Sequence, residues 1–184
     1  MIFYRYHLKY VVGYVGQEGI QTADKESGKT AGTAKATKKL YIEEKKHCIH
    51  QMGPMDDLFF LVRTGRISNV KAFFGSLVGV NPVADFNAKG VSEVLAKFKG
   101  KKAAFDGVIK YIKGTITDPE NQIIFIAHSN RGEAAEKLRA MIEEEFHPRE
   151  IIMNTVGMAC GANIGPGLCA AFYQGKPISP DMAD

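Results

Sequence analysis

An α/β fold, a layered sheet with flanking helices, is what this sequence predicts, and three observations lead there. The first is QIIFIA (122–127), a continuous apolar run of strand length, as expected where both faces of a strand are covered. It is followed by Ala134, Ala135, Leu138, Met141, Ile142 and Phe146 at helical spacing, and then by EIIMNTVG, a second strand. Strand, helix and strand within about 35 residues make a parallel β-α-β unit. The second observation is a hairpin: NPVADF and VSEVLAKF alternate apolar and polar residues around Asn87-Ala88-Lys89-Gly90. The third is a lysine-rich helix, KKAAFDGVIKYIKG, between the hairpin and the β-α-β unit.

The other elements follow in order. TADKESGKTAGTAKATKK (22–39) has no large apolar residue and predicts a loop or a loosely held helix. KLYIEEKKHCIHQM places Leu40, Ile42, Cys48 and Ile49 near an amphipathic helical spacing, broken at Gly53-Pro54. A helix from Asp56 or Asp57 carries Leu58, Phe59, Leu61 and Val62 to Gly65, and Ser68 caps another, VKAFFGSLVG, that ends at Gly79. Asn130, with Glu133 three residues on, predicts the cap of the helix after QIIFIA. The chain divides into an appendage of helix and loop (1–52), an α/β domain (53–177) and a tail (178–184).

Composition excludes several classes. With 45% hydrophobic and 24% charged residues the chain is an ordinary globular protein. No apolar run approaches the about 20 residues of a membrane span, and MIFYRYHLKY lacks the apolar core and cleavage site of a secretory signal. Cys48, Cys160 and Cys169 are an odd number without framework spacing, so reduced thiols in the cytoplasm are expected. The net charge of +4 is local: the first fifty residues hold nine basic and five acidic side chains, and the remainder is balanced. That pattern lacks the dense basic stripe of a nucleic-acid binder.

GANIGPG (161–167) holds three glycines and a proline between the apolar runs TVGMAC and LCAAFY. It lacks the GK[ST] ending of a phosphate loop, and proline removes a donor where donors are needed. Read locally, it is a turn between two strands. Ligands in open α/β sheets sit beyond the carboxyl ends of strands, and His128-Ser129-Asn130 follows directly on QIIFIA. If the glycine loop lies beside that end, His128, Ser129, Asn163 and Gly165 form the mouth of an apolar pocket; the other role for His128 is to steady the following helix. No GxSxG elbow presents a serine, so a small hydrolase rests on His128-Ser129 alone. His47-Cys48-Ile49-His50 lacks the further ligands of a zinc site, and its histidines read as the polar face of a helix. The carboxylates of EEE (143–145) read as solvated.

DDLFFLVRTGRIS, AFFGSLVGVNPV, AKFKGKKAA, IIFIAHSNRGEAAEKL and GANIGPG, in this order and spacing, resemble the C-terminal domain of the DegV family. The resemblance implies a non-catalytic carrier of a long-chain fatty acid, without other cofactor, whose acyl chain lies in an apolar tunnel and which presents it to a separate fatty acid kinase. It implies that Phe73, Phe74, Leu77 and Val78 line the tunnel, plain core packing being their other role. It also implies that Lys97, Lys99 and Arg66 meet an acidic or phosphorylated partner, with Lys101 and Lys102 adding to the same basic group, a solvated strand end and helix start being the other role of the lysines. Many members carry a histidine where this chain has Asn163 and an arginine where it has Lys99. The N-terminal half of such a protein has no counterpart in this sequence, residues 1–52 standing as a remnant of the region between the halves. Self-association through apolar surface left by that half is therefore expected, and a ligand-free protein-interaction domain is the alternative function.

Overall fold

The computed structural model describes residues 45–54, 80–87 and 92–178. A 3-10 turn at Lys46–Cys48 leads into β1 (Ile49–Pro54), followed by β2 (Val80–Phe86), β3 (Ser92–Lys99) and α1 (Lys101–Thr115). After a second 3-10 turn come β4 (Ile123–His128), α2 (Gly132–Phe146), β5 (Glu150–Thr155), α3 (Met158–Ile164) and β6 (Cys169–Gln174). The strands form one sheet in the order β3-β2-β1-β6-β4-β5. Only β4 and β5 pair in parallel; the other neighbours are antiparallel. The β-α-β unit and the hairpin are therefore as the sequence predicts. Following the pairings across the sheet, the carboxyl ends of β1, β3, β4 and β5 share one edge with the amino ends of β2 and β6.

Alternation assigns the two faces. On one, Met52, Val83, Ile124, Ile126, Cys169, Ala171 and Tyr173 pack against Ala104, Phe105, Val108 and Ile112 of α1 and Ala135, Leu138, Ile142 and Phe146 of α2. The apolar stripe of α2 thus buries the face that its spacing indicates. On the other face Ile49, Ala127, Leu168, Ala170 and Phe172 form a second buried cluster, joined by Phe125, Val156 and Ile164.

Three local expectations are corrected. Ile49 to Met52 form the start of β1, with Ile49, His50 and Met52 buried, so the helix expected to run to Gly53-Pro54 gives way to a strand paired on both sides, and the sheet takes in these residues of the expected appendage. His50 is accordingly buried in the sheet at 1% exposure and lies on no polar helix face. Asn130 does not cap α2: it adopts a left-handed conformation, φ 54°, and the helix starts two residues later from Arg131 without a side-chain cap bond. The helices expected over 56–65 and 69–79, and the basic segment 22–39, lie outside the described residues.

The amino end of α1 sets four lysines close together. Lys97, Lys99, Lys101 and Lys102 are all exposed, and the first turn of α1 carries no acidic residue. Cations at the positive end of a helix dipole are unfavourable. Lys102→Glu is expected to raise stability by a few tenths to about 1 kcal/mol, read from denaturation at low salt, with the gain shrinking as salt is added.

Candidate functional site

β4 ends at His128, and the chain there is stitched to the glycine loop. Ser129 N–H donates to the Leu168 carbonyl at 2.9 Å, and Gly167 N–H donates to the Ser129 carbonyl at 3.0 Å. The Ser129 hydroxyl donates to the Gly165 carbonyl at 2.6 Å, and an Arg131 guanidinium N–H donates to the Gly167 carbonyl at 3.2 Å. The expected adjacency of His128-Ser129 and GANIGPG is real. The simple turn is not: residues 161–164 complete the helix α3, and only Gly165 to Gly167 turn the chain into β6. Gly165 and Gly167 take φ values of 72° and 103°, conformations that side chains disfavour, so these glycines serve the turn. Asn163 lies in α3, one residue before its last.

The neighbouring polar groups have distinct tasks. His128 Nδ1 accepts the Arg131 N–H at 3.3 Å, which leaves Nε2 to carry the proton of a neutral ring. His128 thus steadies the start of α2, as its alternative role supposed. The Ser129 hydroxyl donates its proton to a carbonyl and is engaged as a structural pin, with no base seated on it. Beneath the turn lies the second face of the sheet, where Phe125 and Phe172 meet at 6.3 Å between ring centres. The site therefore offers a polar rim over an apolar wall. Phe73, Phe74, Leu77 and Arg66 lie outside the described residues. Lys97 and Lys99 sit at the same edge of the sheet as the turn into β6, three strand spacings or about 14 Å away across it. Among the described residues no three His, Cys, Asp or Glu side chains gather as a metal site, and no helix is long and apolar enough to cross a membrane.

At the opposite edge lies a buried polar group that sequence reasoning missed. His50 Nδ1 meets Asp85 Oδ2 at 2.6 Å and His50 Nε2 meets the Lys176 carbonyl at 2.9 Å. Asp85 also accepts the Gln51 N–H at 2.8 Å and is hydrogen-bonded by Tyr111. The His50 ring stacks on Tyr173, whose hydroxyl meets Thr115 Oγ1 at 2.7 Å. Burial, then the charge of Asp85 and its hydrogen bond, push the Tyr111 hydroxyl well above its ordinary range. Burial is also the main cause for Tyr173, opposed by the bond to Thr115. Both are neutral phenols. The available signals were a histidine on the apolar phase of IHQM and the acidic residue within NPVADF.

Sequence comparison matches the DegV family profile to residues 23–176. A DegV domain-containing protein of Clostridium perfringens is 34% identical over 140 residues, covering 76% of this chain and 48% of that protein. Among solved structures, a fatty acid binding DegV family protein from Streptococcus agalactiae superposes with a TM-score of 0.67 at 24% identity, over 84% of this chain and 53% of that one. The fatty acid kinase B3 protein of Streptococcus pneumoniae, loaded with linoleic acid, gives 0.66 at 18% identity, over 85% and 53%. These two likenesses establish the fold, and the chain spans about half the length of the curated relatives it matches.

Proposed function

The chain belongs to the DegV family, and on that premise we propose that it is a non-catalytic carrier module that holds the acyl chain of a long-chain fatty acid against the second face of its sheet. The observation that supports this most is the meeting of that apolar face with the polar turn: Phe125, Ala127, Leu168, Ala170 and Phe172 run up to a rim of Ser129, Arg131 and Gly165. Binding of this kind needs no reactive group. Burying the methylenes of a 16-carbon chain at about 0.8 kcal/mol each supplies ample affinity. The carboxylate then lies at the rim, beside the Arg131 guanidinium, with Asn163 a proposed further contact. Lys97 and Lys99, at the same edge of the sheet, meet an acidic partner such as a fatty acid kinase. Residues Phe73, Phe74 and Leu77 remain proposed wall residues, Arg66 a proposed partner contact, and the cytoplasm the proposed compartment.

A ligand-free interaction domain is the competing reading. It is favoured by one observation: the Ser129 hydroxyl and the Gly165 and Gly167 amides are all bonded within the protein. Native mass spectrometry of the chain, alone and joined to the complementary half of a relative, separates the two. The carrier reading expects an acyl mass in at least the joined form and uptake of added palmitate after lipid removal. Arg131→Ala is expected to weaken that uptake about tenfold, as for loss of one charge-assisted contact. An acyl-free protein that takes up no fatty acid in either form overturns it.

A further inference from the structure

His50 is placed so that both its ring nitrogens face oxygen acceptors. The Lys176 carbonyl can only accept, so Nε2 must carry a proton. Asp85 already receives the Gln51 amide and the Tyr111 hydroxyl, a set of donors that favours the ionised carboxylate. An ionised Asp85 can also only accept, so Nδ1 must carry a proton too. We propose that His50 is an imidazolium locked in a buried ion pair with Asp85, and that this second proton fastens the segment Gly175–Ile178 to the sheet.

The segment is held like a strap. Gly175 N–H donates to the Cys48 carbonyl, Lys176 N–H to the Thr115 carbonyl and Ile178 N–H to the His47 carbonyl, each at 2.8 Å. The bond from His50 Nε2 ties the same strap from below. The groups around the ring are few. β2 presents Asp85, α1 presents Tyr111 and Thr115, and β6 presents Tyr173, both phenols being neutral. The strap presents only its backbone, because the Lys176 ammonium reaches the Gly114 carbonyl at 2.8 Å. Among the described residues Asp85 is therefore the one charge in contact with the imidazolium. A neutral ring would turn a bare lone pair toward an oxygen, either Asp85 Oδ2 or the Lys176 carbonyl, and a buried polar contact of that kind is destabilising.

Nitrogen-15 NMR of the full chain tests the assignment, with the His50 ring identified through its contacts to Tyr173. The expected result at neutral pH is that both ring nitrogens of His50 appear in the protonated range. A single protonated nitrogen, leaving Asp85 as the acid, overturns the proposal. Hydrogen exchange gives the second readout. Lys176 and Ile178 amides are expected to be protected in the wild type. In Asp85→Asn the strap is expected to lose about tenfold or more of its protection at neutral pH. Undiminished strap protection together with a doubly protonated ring in Asp85→Asn overturns it. Should that variant not fold, the wild-type ring spectrum decides alone.

Discussion

Asp85→Ala is expected to lower the unfolding free energy by about 3–5 kcal/mol, because it strands a buried cation with no counter-charge. It also removes the acceptor of the Gln51 amide and of Tyr111. His50→Leu is expected to be of similar size, since it leaves a buried carboxylate and an unanswered Lys176 carbonyl. Combining the two should cost clearly less than the sum, as the worst species in each single variant, an isolated buried charge, is then gone. Urea unfolding of the wild type, both singles and the double supplies the cycle. An exposed pair would behave otherwise, with additive effects below about 1 kcal/mol. Side-chain exposures of 1% and 0% place this pair at the other extreme. Additive, sub-kilocalorie changes would mean that water reaches His50.

The elements legible in the sequence are those whose stability is local or follows a strong period. QIIFIA is apolar on both phases, and β4 is covered on both faces; the stripe from Ala135 to Phe146 repeats every three to four residues and is buried along its length. The hairpin β2–β3 was legible from its alternation around Asn87–Gly90. What failed depended on distant partners. β1 carries a histidine on its buried phase, which local reading assigns to a polar helix face; it is tolerable there because Asp85, 35 residues away, and the Lys176 carbonyl meet its two ring nitrogens. α3 contains Gly161, a poor helix former, and Gly165 halts it, so MACGANI carries little helical signal of its own. Asn130 has the chemistry of a cap, yet its backbone is left-handed and Arg131 takes the position. Of the candidate site, the placement was legible and the roles were partly so. The rule that sheet ligands gather at carboxyl ends of strands brought the glycine loop to His128-Ser129. That Ser129 and Arg131 would pin the loop through its carbonyls required the register of β6 against β4, which no local pattern holds.

Gly53→Ala is expected to be at least as damaging, about 3 kcal/mol or more, by overpacking where nothing can yield. A Cβ on Gly53 would lie 1.9 Å from the Cys169 carbonyl oxygen, 2.6 Å from Ala170 Cα and 2.8 Å from the Cys169 carbonyl carbon. All three are backbone atoms of β6, so no side-chain rotation relieves the clash; the strands must part. Their separation matters because of where it falls. Among the described strands β1 with β6 is the one pairing that joins the antiparallel half, β1 to β3, to the half containing the parallel pair, β4 to β6. Without it the described halves are held chiefly by α1 against β1 and α2. The variant should therefore lose β1–β6 amide protection first, or fail to fold. Gly157→Ala is the control, since a Cβ there meets nothing within 4 Å, and its stability should stay within about 0.5 kcal/mol of wild type. Equal melting of the two variants would mean that β1 does not cross β6 as closely as Gly53 implies, and the joint between the halves would have to be sought in the helices.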